Sequence, residues 1–299
     1  MKRICIISDI HDWHSKKIKS ELIMLGYKVY LIKFDDLSVQ LTNSKNIILF
    51  KNKHINFEGI WVRFIIRKSL EDLTFKLSIL HILRDSKIYI HNSGEIIEKT
   101  VDKSRTSMIL KLNKINVPKT WVFNLKKKEK NLSFFNNKKL LISKPLFGSQ
   151  GKGIELFKNK KALKKIETPG GIYYIQRFIG KENSKTHSDY RVLVSNHKVI
   201  SVIKRTSKSK ITNVSRGAKI EKVIIDKKIK YLAEKISKVF NLGYGGIDIK
   251  NFKNKNYILE INSIPSWKGL QTVESKNITK ILVRDFIFLI KKLQKIYVN

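Results

Sequence analysis

Two carboxylates and an amide in the C-terminal third of the chain could bind a divalent metal ion. Asp248 precedes a short polar turn, and Glu260 and Asn262 follow it. If the flanking segments form a hairpin centred near Asn254, Asp248 lies opposite Glu260, and the alternation of side chains puts Glu260 and Asn262 on one face. Hard ions such as Mg²⁺ prefer carboxylate and amide oxygens. The spacing therefore favours a metal site over the alternative, an exposed acidic face on a hairpin.

A lysine and a glycine-rich segment could together bind phosphate groups. Lys144 ends an apolar run, and Gly148, Gly151 and Gly153 follow it closely. Glycines let backbone N–H groups approach and wrap a triphosphate, while a lysine at a strand end projects from a rigid base. The segment is neither a Walker A motif nor a dinucleotide-binding fingerprint. Alone it would also fit a plain hairpin turn, so its interpretation depends on the metal residues downstream.

The elements that precede these segments predict an α/β arrangement. Apolar runs at 2–8 and 29–32 indicate buried strands, and the helix between them ends at Gly26, which is typical of a βαβ unit in a parallel sheet. Further strands are predicted at 60–64 and 88–90. Ser69 and Asp72 together form a capping pattern that predicts the start of a helix running to Leu83.

The segment 11–15 reads as a loop after the first strand. Its residues His11, Trp13 and His14 would then lie at the carboxyl end of the sheet, where open α/β sheets bind ligands. They could contact a bound substrate or simply form part of the surface, and the sequence leaves both open.

The middle of the chain changes to a small α+β unit, and the C-terminal part contains paired strands and two helices. Asn196-His197 indicates the turn of a hairpin. An apolar stripe from Phe286 to Ile296 predicts an amphipathic C-terminal helix. The remaining elements are predicted as a helix at 102–114, strands at 120–123, 140–144, 154–157 and 173–177, a helix at 159–166, strands from 189 onward, and a helix at 227–240.

The composition fits a folded globular chain. With 299 residues, of which 42% are hydrophobic, the chain can bury a sizeable core and allows about two domains. No run of about 18 apolar residues predicts a membrane span, and no signal peptide pattern is found. The single Cys5 cannot form an internal disulfide, which fits a reducing compartment. We therefore expect a cytoplasmic protein without a membrane partner.

The net charge of +38 raises the question of nucleic-acid binding. The lysines are scattered along the whole chain and are not gathered with arginines and aromatic residues on one element, as a nucleic-acid reader would have them. A general bias towards lysine explains this pattern better than a dedicated interface. We expect only non-specific, salt-sensitive binding to polyanions, and self-association into a homo-oligomer stays open.

Three stretches carry a resemblance to a known family. They are Lys144-Pro145 with Gly148-Ser149-Gln150-Gly151-Lys152-Gly153, then Asp189-Tyr190-Arg191, and finally Glu260-Ile261-Asn262-Ser263-Ile264-Pro265. In this combination the chain resembles the ATP-grasp superfamily and, within it, the RimK-like α-L-glutamate ligases, over roughly residues 90 to 275. The stretch 266–271 is similar to members linked to modification of C1 carriers or cofactors. The resemblance implies an ATP-grasp fold behind an N-terminal parallel α/β domain, with domains at 1–97, 98–182 and 183–299.

The resemblance also implies a role for each matching residue. ATP and Mg²⁺ (or Mn²⁺) would be the cofactors, with Lys144, Arg191 and Arg205 as catalytic residues. The family's Asn…Arg-Gly-Gly stretch is matched by Asn213 and Arg216-Gly217, with Ala218 in place of the second glycine. The implied metal ligands are Asp248, Glu260 and Asn262, and the implied ATP-binding residues are Lys103, Lys144, Gly148, Ser149, Gln150, Gly151, Lys152, Gly153, Gln176, Arg177, Phe178, Ile179, Asn213 and Arg216.

The implied activity is amide formation through an acyl phosphate, with an amino acid joined to a peptide tail or a small cofactor. The carboxylate and the amine are not identified by the sequence. The first alternative is a ligase of the same fold that acts on another substrate pair. The second is a non-catalytic ATP-binding or basic nucleic-acid-binding protein on an ATP-grasp scaffold.

Overall fold

The computed structural model of the protein describes residues 1–43, 46–66, 68–124, 139–148, 151–163 and 165–298. Its N-terminal part is built on a four-stranded parallel sheet, in which the first strand lies between the second and the fifth. The parallel pairing confirms the prediction made from the βαβ pattern. The elements of this part are β1 (Arg3–Ser8), α1 (Trp13–Met24), β2 (Lys28–Ile32), β3 (Leu37–Leu41), β4 (Asn46–Phe50), β5 (Gly59–Phe64), α2 (Leu70–Asp85) and β6 (Tyr89–His91).

Helix α1 begins inside the segment predicted to be a loop, so that prediction is wrong for residues 13–15. The Asp12 carboxylate accepts a hydrogen bond from the Ser15 N–H at 2.8 Å and caps the helix. Aspartate is a preferred N-cap residue, but the apolar periodicity starts only at Ile18, and pattern reasoning therefore places the start too late. The antiparallel pair of β3 and β4 has no counterpart in the predictions.

The middle part is a four-stranded antiparallel sheet with a small core of its own, as the predicted α+β unit requires. Its strand order is β7-β10-β8-β9. Two helices precede it, and the second of them is capped by Asp102, which accepts from Ser104 and Arg105 N–H. The elements are α3 (Gly94–Val101), α4 (Lys103–Leu112), β7 (Thr120–Asn124), β8 (Leu141–Lys144), β9 (Glu155–Phe157), α5 (Lys160–Leu163) and β10 (Ile172–Arg177).

The C-terminal part contains a five-stranded antiparallel sheet in the order β13-β12-β11-β14-β15. The predicted Asn196-His197 turn is confirmed, with φ angles of 45° and 62° that suit a tight hairpin. The elements are β11 (His187–Ser195), β12 (Lys198–Ser207), β13 (Lys219–Lys222), α6 (Lys227–Val239), β14 (Tyr244–Phe252), β15 (Lys255–Asn262), α7 (Lys268–Gln271) and α8 (Ile278–Val298).

Helix α8 returns to the N-terminal sheet and packs against it. Phe286 and Ile290 share one core cluster with Ile4 and Trp61, and a Cβ atom at Gly59 would overlap the Ile290 side chain. The proposed division at 97/98 and 182/183 passes between the three larger sheets, while α8 links the last proposed domain to the first. Among the helices in the described ranges, none combines the length and apolar character needed to cross a bilayer.

Candidate active site

The predicted metal residues lie on the hairpin of β14 and β15. Its tight turn is at residues 253–254, and the register pairs Asp248 directly with Glu260. The predicted opposition of these two carboxylates is therefore confirmed. Ile261 is buried in the core under the sheet, so Glu260 and Asn262 on either side of it share the other face.

Asp248 is held by two arginines from the neighbouring strands. Arg191 on β11 is its cross-strand partner, with Nε 2.6 Å from Oδ1 and Nη2 donating to Oδ2 at 3.1 Å. Arg205 on β12 places Nη2 3.0 Å from the same Oδ2. Because Asp248 is buried, the two guanidinium groups offset a charge that would otherwise be costly to remove from water. The two arginines predicted to be catalytic thus meet the predicted metal residue.

Arg205 is also bound by a second carboxylate, Asp189, which belongs to one of the three family stretches but was given no role by the sequence. Asp189 accepts from Arg205 Nε and Nη2, both at 2.7 Å, and from the Thr212 hydroxyl at 2.6 Å. Burial alone would lower the pKa of Arg205, but the two carboxylates raise it overall. With 4% of its surface exposed, Arg205 is a buried cation and not a surface one. The signal was available in part, because the Asn196-His197 turn makes Asp189 and Arg205 cross-strand neighbours.

The polar atoms at this hairpin fit a bound metal ion. Asp248 Oδ1 and Asn262 Nδ2 are buried and lack an aligned hydrogen-bond partner, and the assignment of O and N in the amide can be exchanged. Two carboxylates and one amide oxygen are a donor set that Mg²⁺ accepts when substrate oxygens and water complete its shell. No cluster of three or more His, Cys, Asp or Glu side chains suited to a metal occurs in the described part of the chain, so no richer acidic site competes with this one.

Lys144 enters the site from the middle sheet. It ends β8, is buried, and donates to Gln176 Oε1 at 2.8 Å. Gln176 in turn donates to Tyr174 Oη at 2.6 Å and to Thr120 Oγ1 at 3.1 Å. Burial lowers the pKa of Lys144 to about 8, although the Glu260 carboxylate acts in the opposite direction. Gln176 is a neutral partner, and no carboxylate among the described residues forms a direct ion pair with Lys144.

The glycine-rich segment begins against Lys103. The Lys103 ammonium donates to the Gly148 carbonyl at 2.8 Å and lies 3.6 Å from Glu260 Oε1. Further along, Gly151 has a φ of +72°, and a Cβ atom there would lie 2.9 Å from Asn213 Oδ1 and 3.3 Å from Arg216 Nε. Glycine is therefore needed at this close approach. The glycine-rich segment therefore lies close to Asn213 and Arg216. This proximity is consistent with the prediction that all of them bind ATP.

The predicted loop contains four other residues. Gly153 also has a left-handed φ, of +69°, and Lys152 is exposed. Ser149 and Gln150 lie outside the described residues.

The predicted ATP-binding residues 176–179, called the hinge from here on, span the end of β10 and the start of the following loop. The Arg177 N–H donates to the Lys119 carbonyl at 2.9 Å, and the Phe178 N–H donates to the Leu140 carbonyl at 3.0 Å. These two N–H groups are therefore already bound within the protein. The Gln176 side chain points to Lys144, a role that the sequence did not predict.

One cavity brings nine of the nineteen predicted site residues together. It lies between the middle sheet and the C-terminal sheet, with Ile142, Ile154 and Leu259 as apolar lining. Lys210 and Thr212 line it as well and were not predicted. The predicted residues on its lining are Lys144, Gln176, Arg177, Phe178, Ile179, Arg205, Asn213, Asp248 and Glu260. Lys103 and Asn262 line an adjoining cavity that shares Glu260 with this one.

His14 is held inside the protein and is not placed to contact a substrate. It contacts the Asp12 carboxylate through Nδ1 at 2.8 Å, and its Nε2 accepts from the N–H groups of Trp267 and Lys268 at 3.1 and 3.2 Å. Burial lowers the pKa of His14, which agrees with a neutral ring that accepts at Nε2. The histidine joins α1 to the segment after the metal residues, and Trp267 in that segment is buried.

Comparisons with known proteins agree with this geometry. A family model described as a RimK-like ATP-grasp domain matches residues 100–286. The tetrahydromethanopterin:alpha-L-glutamate ligase of Methanococcus maripaludis is 28% identical over 298 residues, covering 95% of this chain and 97% of the relative. The coenzyme gamma-F420-2:alpha-L-glutamate ligase of the same organism is 28% identical over 275 residues, covering 87% and 95%.

Solved structures show the same fold at low sequence identity. The ATP-grasp ligase PsnB complexed with minimal precursor aligns with a TM-score of 0.74 at 17% identity, covering 96% of this chain and 98% of that one. The D-alanine–D-alanine ligase of Bacillus anthracis complexed with ATP aligns with a TM-score of 0.64 at 14% identity, covering 99% of both chains. The predicted ATP-grasp fold is therefore confirmed.

Proposed function

The chain belongs to the RimK-like ATP-grasp family, and we propose that it joins L-glutamate, or a similar amino acid, to a carboxylate on a small cofactor or a protein tail. It is an ATP-dependent carboxylate–amine ligase, as are its relatives. Those relatives are named for the addition of α-L-glutamate, to tetrahydromethanopterin in one case and to coenzyme gamma-F420-2 in the other. Their names support glutamate as the amine substrate here.

A single observation carries the proposal. Lys144 from the middle sheet and Arg205, Asp248 and Glu260 from the C-terminal sheet line one cavity. Lys144, which forms no ion pair within the described residues, lines this cavity together with two carboxylates from the other sheet. A phosphate chain would offset the charge of the lysine, and a cation bound to that chain would offset the charge of the carboxylates.

The reaction needs two bonds to form in sequence. A substrate carboxylate oxygen attacks the γ-phosphorus of ATP, ADP leaves, and the carboxylate becomes an acyl phosphate. The amino group of glutamate then attacks the acyl carbon, loses a proton, and expels inorganic phosphate. Bound Mg²⁺, for which Mn²⁺ could substitute, would supply charge neutralisation at the transferring phosphoryl group.

The chain's own residues would bind and orient the reactants. Asp248, Glu260 and Asn262 would hold the metal ion. Lys144 would bind phosphate oxygens, and Arg191 and Arg205 would stabilise negative charge at the acyl centre. Arg205 uses Nε and Nη2 for its two carboxylates, which leaves the donors of Nη1 for this purpose.

The hinge would bind the adenine ring. Because the N–H groups of Arg177 and Phe178 are bound to backbone carbonyls, we expect the carbonyl groups of this segment and the N–H of Ile179 to provide the polar contacts. Ile142, Ile154 and Leu259 would enclose the ring on the apolar side. Closure of the glycine-rich segment would exclude water, which would otherwise hydrolyse the acyl phosphate.

The test is a measurement of ADP release with and without Mg²⁺, followed by untargeted mass spectrometry of cells that contain or lack the protein. We expect Mg²⁺-dependent ADP release and products heavier by one glutamyl residue. A non-catalytic ATP-binding protein would bind nucleotide without releasing ADP. The buried Cys5 and the use of ATP support a cytoplasmic location as part of this proposal.

The high positive charge gives a separate expectation. Binding to RNA or DNA should be independent of sequence and should fall steeply with salt. ADP release should persist at salt concentrations that remove the nucleic acid. Sub-micromolar binding to one sequence over scrambled controls at physiological salt would instead support the nucleic-acid alternative.

A further inference from the structure

An apolar cavity of about 340 Å³ lies beside the candidate metal residues, on the side facing the N-terminal sheet. It is formed where the end of β5, the helices α2 and α3, the start of the glycine-rich segment and the end of β15 meet. Its size falls in the range of small-molecule sites. Its apolar walls are Phe64, Ile65, Leu73, Leu77, Ile97, Val101, Phe147, Ile261 and Ile264.

The cavity has one polar end. Lys103, Glu260 and Asn262 lie there, and the buried Asn262 Nδ2 lacks a hydrogen-bond partner. Glu260 lines both this cavity and the one that holds Lys144. A molecule in the apolar cavity would therefore meet a nucleotide in the other at Glu260, which is where a carboxylate must meet the γ-phosphate.

The mouth of the cavity exposes large apolar side chains to solvent. Phe64, Val101 and Phe147 are 37%, 42% and 44% exposed, and all three line the cavity. Exposed apolar surface gathered around a concave site indicates binding, whereas scattered single residues do not. Two phenylalanine rings at one mouth suit stacking against a flat ring.

We propose that this cavity binds the apolar, ring-bearing body of the molecule whose carboxylate is activated, with Phe64, Val101 and Phe147 as specificity-determining residues. The inference rests on the proposed function, because it assigns the carboxylate substrate of that reaction to a site. The carboxylate lies at the polar end, beside the Lys103 ammonium and the metal residues. The ring system packs against the aromatic mouth.

The shape and chemistry of the walls favour a small molecule over a peptide. A peptide needs partners for its backbone N–H and C=O groups along its length. The walls between the mouth and the polar end are mainly aliphatic and aromatic. A compact ring with a short acidic tail would fill such a space without burying unpaired polar groups.

N-dansyl-L-glutamate is a suitable probe, because it joins an apolar ring system to carboxylates and its fluorescence reports an apolar surrounding. It is titrated against the full chain in the presence of Mg²⁺. We expect saturable, blue-shifted fluorescence. Phe147→Ser and the cavity-filling Val101→Phe should weaken binding at least roughly tenfold, in line with losses known for apolar pockets. Phe288→Ser is the matched control, since Phe288 is 54% exposed on α8 and does not line the cavity, and it should bind the probe like the unmodified chain.

Equal binding by the Phe147, Val101 and Phe288 variants would overturn the proposal, since it would indicate adsorption to the lysine-rich surface. Binding of a dansylated acidic peptide in preference to the small probe would overturn it as well. The readout needs no turnover, so the two proposals fail separately. Loss of Mg²⁺-dependent ADP release would refute the ligase proposal while variant-sensitive probe binding still supported the cavity.

Discussion

The C-terminal sheet and the middle sheet form the two walls of the candidate active site. They differ in how the charge of their cationic residues is compensated. On the C-terminal sheet, Arg205 is bound by Asp189 and Asp248, and these carboxylates raise its pKa. On the middle sheet, Lys144 has Gln176 as its hydrogen-bond partner, and burial lowers its pKa to about 8. Both cations line the same cavity, so the difference comes from their immediate partners and not from their depth in the protein.

The contrast assigns different tasks to the two walls. On the C-terminal wall, the charges of the arginines and carboxylates balance one another. These side chains therefore hold one another in place before any ligand binds. On the middle sheet, the buried charge of Lys144 lowers the stability of the protein until an anion binds beside it. In such a site the C-terminal sheet keeps a fixed geometry, and Lys144 on the middle sheet is available to bind phosphate.

The largest effect is expected for Lys144→Met. Methionine is close to the shape of the lysine stem, so the fold should be retained, while the loss of a charged donor to phosphate should reduce ADP release about a thousandfold. Thermal unfolding should show equal or higher stability, because a buried charge without an ionic partner is removed. The measurement is ADP release alongside the melting temperature, and near-normal activity would remove Lys144 from the mechanism.

The balanced wall is tested by comparing Asp248→Asn with Glu260→Gln. Both should lower Mg²⁺-dependent turnover, by less than Lys144→Met does. Asp248→Asn should also destabilise the protein by about 3–5 kcal/mol, because it removes a buried negative charge that pairs with Arg191 and Arg205. Glu260 is more exposed, and its ion pair within the described residues is the one with Lys103 at 3.6 Å, so its variant should lose little stability.

Urea unfolding of the two variants gives this comparison directly. Equal stability losses in both would mean that the arginine network does not distinguish Asp248 from Glu260. Mg²⁺ affinity, measured by calorimetry in the presence of ADP, should fall in both variants and serves as the shared control.

The pH dependence of stability should reveal the uncompensated lysine. The pKa of Lys144 is about 8 in the folded protein against its usual 10.5. The unfolded chain therefore binds more protons between these values, and stability rises with pH across this window. The penalty is fully present below pH 8 and is relieved above 10.5, with a size of about 3 kcal/mol.

Comparison with Lys144→Met isolates this contribution. Unfolding free energies measured from pH 7 to pH 10 should rise more steeply for the unmodified chain than for the variant. Tyr174 acts in the opposite direction at higher pH, because burial raises its pKa to about 12, but it is present in both proteins. Parallel curves would show that Lys144 keeps an ordinary pKa.

Local patterns predicted the parts of the site that lie close together in the chain. The opposition of Asp248 and Glu260 follows from one hairpin and the alternation of side chains, and the capping pattern at Ser69 marks the start of α2. The contact of Arg191 with Asp248 was not predictable in this way. It depends on β11 pairing with β14, and these strands are separated by a hairpin partner, an edge strand and a helix.

The apolar cavity shows the same limit more strongly. Its walls come from β5, α2, α3, the glycine-rich segment and β15, and in sequence each of these contributions looks like ordinary core. Only the packing of the N-terminal sheet against the C-terminal sheet leaves Phe64 and Phe147 exposed around one space. Family resemblance assigned the ATP-binding residues, because their motifs are continuous, but it assigned no role to the apolar residues that line this cavity.

The smallest effect is expected for Thr212→Val, which removes one hydrogen bond that supports the ion pairs of the C-terminal wall. The Thr212 hydroxyl donates to Asp189 at 2.6 Å, and Asp189 orients Arg205. Valine keeps the shape and removes one hydrogen bond to a charged group, which should cost about 1.5–3 kcal/mol of stability. Activity should fall only several-fold, since the bidentate contact between Asp189 and Arg205 remains. Thr272→Val is the control, because the exposed Thr272 donates to the Gly269 carbonyl away from the cavity. If Thr212→Val loses as much activity as Lys144→Met, the C-terminal wall is not preorganised by its internal ion pairs, and the contrast between the two walls does not hold.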